Sequence, residues 1–228
     1  MSGLIALVGG NEFRSNCEPM DRALLARLVS KPKVVIVPAA AARENPGLAV
    51  ENGVRYFHRL GVQAEGVMII DAETARQTVL LARLKNADLV YFSGGDPVYL
   101  LETMRDSPAW KAVKGARKEG RMLAGSSAGA MILGGQMWAP GHGWRQGLGL
   151  IPQIAVIPHH ASLASRWNAA QMRASLPNGV ILVGIDEATV LVGPPWQVIG
   201  AGEVAIYHGE KPALFKDGQS VDIEIGRI

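Results

Sequence analysis

The chain predicts an α/β fold in which a mostly parallel sheet is sandwiched between helices and antiparallel strands follow toward the C-terminus. Three observations carry that expectation. Short apolar, β-branched runs alternate with segments of helical period over the first two-thirds of the sequence. Many of these runs end beside glycine or proline. From Val190 onward the pattern becomes short runs separated by turn residues, among them Gly193-Pro194-Pro195 and Lys216-Asp217-Gly218, as in antiparallel hairpins.

Taken in order, Leu4 to Val8 is an apolar run closed by Gly9-Gly10, and Met20 to Val29 has helical spacing. Val34 to Val37 is β-branched and stops at Pro38, Pro46 to Leu60 reads as a helix, and Gly66 to Ile70 is again extended. Ala75 to Lys85 is the next helix and Leu89 to Phe92 the next buried strand. A helical region from Val98 to Glu119 is broken near Ser107-Pro108, and Met122 to Ala124 is a further strand. The segment from Gly134 to Pro152 holds six glycines, two prolines, Trp138 and Trp144 without clear periodicity. It reads as a long loop, which inside a compact domain is usually functional. Ile154 to Ile157 is a strand, Leu163 to Leu176 a helix and Val180 to Val183 a strand.

Composition narrows the class. With 228 residues, 48% of them apolar, and 27 glycines and 13 prolines lacking a period of three, the chain is neither disordered nor collagen-like. No linker or repeat divides it, so one domain spanning 1–228 is expected. A single cysteine, Cys17, excludes an internal disulfide and the multi-cysteine zinc patterns. The N-terminus lacks the basic head of an export signal, and no apolar run reaches the about 18 residues of a membrane span, so a cytoplasmic protein is expected. Lysine and arginine number 23 against 20 acidic residues. The basic residues are scattered except for Lys111, Lys114, Lys118 and Arg121, which share one helical face. That face reads as solvated, and neither a nucleic-acid nor a membrane partner is expected; a homodimer is compatible with the sequence.

In parallel α/β sheets ligands gather at the carboxyl ends of the strands. Three such ends stand out: Ser93-Gly94-Gly95-Asp96, Gly125-Ser126-Ser127-Ala128-Gly129, and Pro158-His159-His160. The second fits GxSxG between an apolar strand and a helix former, where small neighbours allow a sharp turn that projects the Ser127 hydroxyl and leaves the Ala128 amide free. Such an amide can hold a developing oxyanion, and the Gly94-Gly95 pair offers a second donor. A serine hydroxyl needs a base, and histidine suits that task. His159 and His160 lie 32 and 33 residues after Ser127 at the same sheet edge; being adjacent, they point in different directions and only one can serve. His58 and His208 read as structural or exposed, and His142 lies in the tryptophan-bearing segment. From Ala128 to Pro158 there is no Asp or Glu, so Asp186 or Glu187, after the strand ending at Val183, is the candidate to orient the base.

Read together, Ser93-Gly-Gly-Asp96, Leu100-Leu101, Gly125-Ser-Ser-Ala-Gly-Ala130, Pro158-His159 and Gly184-Ile-Asp-Glu187 with Thr189 resemble, in order and spacing, the serine peptidases of family S51, which includes cyanophycinase and peptidase E. Gly9-Gly10 and Val37-Pro-Ala-Ala40 match early positions as well. The resemblance implies a three-layer, flavodoxin-like fold akin to class I glutamine amidotransferases. It implies hydrolysis of small peptides or isopeptide-like amides through an acyl-enzyme, without metal or organic cofactor. It makes Ser127 the nucleophile, His159 the base, Glu187 the orienting acid, and the amides of Gly95 and Ala128 the oxyanion hole, with Asp96 and His160 in the substrate pocket. Departures concern the substrate. Pro97 follows Asp96 where many members carry a polar residue, and the arginines that follow the histidine in cyanophycinases are missing at Ala161 to Ser165, leaving Arg166. Trp138, Trp144 and Arg145 point to a different pocket. Two rivals remain at this level: an α/β-hydrolase-type esterase using Ser127, Asp186 and His208, and an inactive member that binds a peptide or metabolite.

Overall fold

A computed structural model describes residues 2–164, 167–209 and 211–222. Five short strands, β1 (Ile5–Val8), β2 (Lys33–Val37), β3 (Gln63–Gly66), β4 (Leu89–Phe92) and β5 (Met122–Ser126), pair in parallel in the order β1-β5-β4-β2-β3. Their residues are buried on both faces except in β3 and at Lys33, which is why they read as unbroken apolar runs. The strand expected at Gly66–Ile70 lies earlier, at Gln63–Gly66, while Val67 and Ile69 are buried beyond its end.

Between these strands run α1 (Glu18–Leu25), α2 (Pro46–Arg59), α3 (Thr78–Lys85), α4 (Pro97–Met104) and α5 (Pro108–Lys118). The starts of α2, α4 and α5 share one device, a side-chain cap followed by proline: Asn45, Asp96 and Ser107 each accept backbone N–H bonds in the first turn. The break near Ser107-Pro108 separates α4 from α5. One face of the sheet is covered by Met20, Leu24, Tyr56 and Phe57 from α1 and α2; the other packs on Leu100, Met104 and Trp110.

The chain then departs from the single-sheet expectation. After α6 (Ala128–Met131), the glycine-rich segment is not an irregular loop but β6 (Gly134–Ala139), β7 (Gly143–Gln146) and the start of β8 (Ile151–Ile157). These open a second, six-stranded sheet, joined by β9 (Ile181–Ile185), β12 (Val204–Tyr207) and β13 (Ala213–Phe215), with β6, β8 and β9 parallel. The intervening β10 (Thr189–Gly193) and β11 (Gln197–Gly200) return to the first sheet as antiparallel edge strands, so the turn-rich tail is antiparallel as expected. Glycine hid the strands because it is there for close approach: a Cβ on Gly134 or Gly135 would lie 2.6 or 2.0 Å from the backbone oxygens of Ile154 and Pro152. Trp138 sits directly across from Trp144, the rings meeting edge-to-face at 5.2 Å, and Trp144 Nε1 donates to Ser175 Oγ. The helix expected from Leu163 to Leu176 is two short ones, α7 (His160–Leu163) and α8 (Ala169–Ala174), the second capped by Asn168. Arg166 lies outside the described residues. Among those residues no helix is long and apolar enough to cross a membrane.

On the buried face of α1 a carboxyl has no ion-pair partner among the described residues. Asp21 is 2% exposed and accepts the Tyr56 hydroxyl at 2.7 Å. Burial pushes its pKa up to about 7, with the nearby Glu12 adding to the rise and the Tyr56 bond opposing it. A carboxyl that binds its proton more tightly in the folded chain stabilises most below its unfolded pKa of about 4, and that stability is lost as pH rises toward 7. Asp21→Asn should therefore be more stable than wild type at pH 8 by up to roughly 4 kcal/mol, the advantage vanishing near pH 4. Urea unfolding at both pH values checks this; an equal shift at each would show that Asp21 does not titrate in this window.

Candidate active site

The carboxyl ends of β1, β5 and β4 are neighbours in the first sheet, and those of β8 and β9 arrive beside them from the second. Ser127 stands on a strained turn, with φ 49° and ψ −109°, between the end of β5 and the start of α6. The strain is held by what surrounds it. Its N–H donates to Val8 O at 3.0 Å. Gly125 and Gly129 let the helix begin at once, since a Cβ on either would fall 2.4 Å from the Gly129 backbone or 2.7 Å from Phe92 O. The GxSxG reading is thus realised as a sharp strand-to-helix turn.

His159 reaches the same point from β8. It has left-handed backbone angles, φ 49° and ψ 40°, and its N–H donates to Gly9 O at 2.7 Å. Its ring bridges two groups: Nε2 lies 3.1 Å from Ser127 Oγ, and Nδ1 lies 2.7 Å from Glu187 Oε1. The other Glu187 oxygen accepts the Asn11 side-chain amide at 2.6 Å. A carboxylate can only accept from Nδ1, which places the proton there and leaves Nε2 bare to receive the serine proton. The Gly9-Gly10 pair that closes β1 is what admits this ring. At Gly10, where φ is +126°, a Cβ would fall 2.2 Å from the imidazole Cε1. Gly10→Ala should therefore displace His159 and slow any reaction of Ser127 by about 10² or more, since misplacement of about 1 Å is already that expensive. The rate of covalent labelling by a fluorophosphonate probe measures it, and a rate unchanged from wild type would contradict the clash.

The tandem histidines separate as adjacency requires. His160 turns away from Ser127, its Nε2 2.8 Å from the Tyr207 hydroxyl and its Nδ1 3.5 Å from Asp186 Oδ1, with the ring lying against Gly184. Burial lowers its pKa and Asp186 opposes the fall. Asp186 is occupied elsewhere too, accepting the backbone N–H groups of Ala161 and Glu203. Asp96 caps α4 through the amides of Val98 and Tyr99 and faces Arg43 at 3.8 Å. His160 and Asp96, expected in a substrate pocket, do not line the depression at Ser127: His160 is held by Tyr207 of β12 and by Asp186, Asp96 by the start of its own helix. His208, needed by the esterase alternative, follows β12 on an exposed loop, and His159 holds the place it would have to fill. Trp138, Trp144 and Arg145 do not line the depression either. The tryptophans pack against the buried cluster that includes Ile157, Met172 and Leu176, and Arg145 faces Glu102 at 3.7 Å.

The depression has a volume near 290 Å³ and is lined by Asn11, Glu12, Arg14, Gly94, Gly95, Ser127 and His159. It continues into a cleft of about 650 Å³ that shares Glu12, Arg14, Gly94 and Gly95 with it and is flanked by Asn52, Arg55 and Arg59 of α2. Gly95, at φ +138°, passes so close to Ala40 O that a Cβ would sit 2.3 Å away. The amides of Gly95 and Ala128 have no acceptor among the described residues, whereas that of Gly94 is taken by Glu12 at 2.6 Å. Sequence reasoning missed Asn11 and Glu12. The signal that could have found them is their place just after Gly9-Gly10, at the carboxyl end of β1, where the strand-end rule already pointed. Among the described residues no cluster of His, Cys, Asp and Glu could hold a metal ion.

An α/β chain with a serine, an imidazole and a carboxylate in contact at the strand ends has the build of a hydrolase, and known proteins agree. Peptidase family S51 matches residues 4–193, and the chain belongs to that family. It is similar to a cyanophycinase of Trichormus variabilis, 29% identical in an alignment 220 positions long that covers 89% of this chain and 72% of the relative. A cyanophycinase of Thermosynechococcus vestitus is 27% identical over 90% of this chain and 67% of its own. The crystal structure of a peptidase from an acI-B1 Actinobacterium superposes with a TM-score of 0.87 at 32% identity, covering 98% of both chains. A crystal structure of a putative peptidase E protein from Listeria monocytogenes, at 18% identity and a TM-score of 0.63 over 90% of this chain and 98% of that one, shares the fold.

Proposed function

We propose that the chain is a serine peptidase acting on small peptides or isopeptide-like amides, with Ser127 as nucleophile. The observation that carries this is the unbroken contact from Ser127 Oγ through the His159 ring to Glu187, at 3.1 and 2.7 Å. In this reading Ser127 Oγ attacks the scissile carbonyl carbon as His159 Nε2 takes the hydroxyl proton, and Glu187 stabilises the imidazolium that forms. The carbonyl oxygen, now negative, is held by the N–H groups of Gly95 and Ala128, where preorganised donors act with little reorganisation. Collapse breaks the C–N bond, and His159 returns its proton to the leaving amine. Water, deprotonated by the same nitrogen, then releases the acyl group from Ser127.

The 650 Å³ cleft beside α2 supplies room for the substrate beyond the reacting bond. The lone, buried Cys17 supports a cytoplasmic setting, where disulfides are rare. A fluorophosphonate probe tests the reading: folded wild-type protein should be labelled on Ser127, and screening a dipeptide library with Ser127→Ala as control should then find the amide it cleaves. Folded protein that resists the probe would speak instead for an inactive, ligand-binding member.

A further inference from the structure

We propose that Glu12 is a positioning residue for this site, setting both the oxyanion amides and the nucleophile turn; the proposal rests on the serine-peptidase reading and adds a group that reading does not use. The Glu12 carboxylate is divided between two donors. Oε1 accepts the Gly94 N–H at 2.6 Å, and Oε2 accepts the Ser126 hydroxyl at 2.7 Å. These donors are 82 and 114 residues away along the chain, and each immediately precedes a residue of the proposed machinery. Gly94 carries the carbonyl whose peptide bond presents the Gly95 amide, and Ser126 leads into Ser127 and the Ala128 amide. One side chain therefore ties together the end of β4 and the end of β5.

The fit is close. A Cβ on Gly94 would stand 2.9 Å from Glu12 Oε1 and 3.3 Å from Ser127 Cβ, so the carboxylate lies against backbone. The segment that carries it is pinned on both sides. Asn11 is held by Glu187 and by the Cys17 thiol, which donates to its carbonyl at 3.0 Å. Phe13 packs among Tyr56, Phe57 and Tyr91 with centroids 5.2 to 6.0 Å away. Occupying the Gly94 amide also decides which donors are left for substrate. With Glu12 in place the free amides are those of Gly95 and Ala128; without it a third donor opens beside them and the peptide is free to tilt.

The test compares second-order labelling rates with a fluorophosphonate. Glu12→Ala leaves both donors without their acceptor and should label about 10²-fold more slowly than wild type, the scale of losing one oxyanion donor. Glu12→Gln can still accept from Gly94 through its oxygen and donate to Ser126 through its amide, and should recover to within about threefold, because bonds rather than charge set the geometry. Glu12→Ala labelling within about threefold of wild type overturns the proposal, as does Glu12→Gln being as slow as Glu12→Ala. Should Glu12→Ala fail to fold, Ser126→Ala removes one of the two bonds: a roughly tenfold slowing, the scale of one net hydrogen bond, supports the proposal and an unchanged rate overturns it. Wild-type protein that never labels sinks the serine-peptidase reading itself, a result distinct from any difference among these variants.

Discussion

Ser127→Ala is expected to abolish covalent labelling and to lower the rate of amide hydrolysis on the order of 10⁶-fold, the scale found when a serine nucleophile held by a histidine is removed. The size follows from the geometry. Without Oγ there is no acyl-enzyme, and the two free amides and the binding cleft can contribute only a residual of roughly 10³ over uncatalysed hydrolysis. Ser127 spends its strained backbone on projecting a hydroxyl, and alanine fits the same turn with one atom fewer. Folding should be little affected, so the loss can be read as chemistry. A labelled Ser127→Ala protein would place the nucleophile elsewhere.

His159→Ala should produce a loss of the same order, and the double variant Ser127→Ala/His159→Ala should be no worse than either alone, because groups that act as one unit do not contribute separately. His160→Ala is the contrasting case. Its imidazole faces Tyr207 and Asp186, so its removal should leave labelling within a few-fold of wild type while lowering thermal stability through the lost hydrogen bond. Measured side by side, the two alanine variants ask which of two adjacent imidazoles takes the proton. Equal losses, or a larger loss at His160, would contradict the assignment of Nε2 of His159.

Much of this was legible in the sequence, and the reasons differ by element. The parallel strands β1, β2, β4 and β5 are buried on nearly all positions, so their apolar runs stand out against charged helices with proline-marked starts. The place of Ser127 was legible because GxSxG falls between an apolar strand and a helix former, and the places of His159 and Glu187 because each follows another buried strand. The second sheet was not legible: β6 and β7 carry glycines where neighbouring backbone passes, and these erase the alternation that marks a strand. Nor could the sequence separate His159 from His160, since that choice depends on which ring finds the gap above Gly10 and which the gap above Gly184. The pairing of Glu12 with Gly94 and Ser126 is a contact among three distant segments, and nothing local records it.

The construction from two sheets has a consequence for how such a chain would fail. Ser127 is carried by the first sheet, His159 by the second, and Glu187 by the stretch that crosses from one to the other between β9 and β10. A slip of a fraction of an ångström where these slabs meet would break the Ser127–His159–Glu187 contacts on which the proposed mechanism depends, while every helix and strand stayed intact. Loss of turnover would then come ahead of melting, and the enzyme would behave as a gauge of how well its halves are seated.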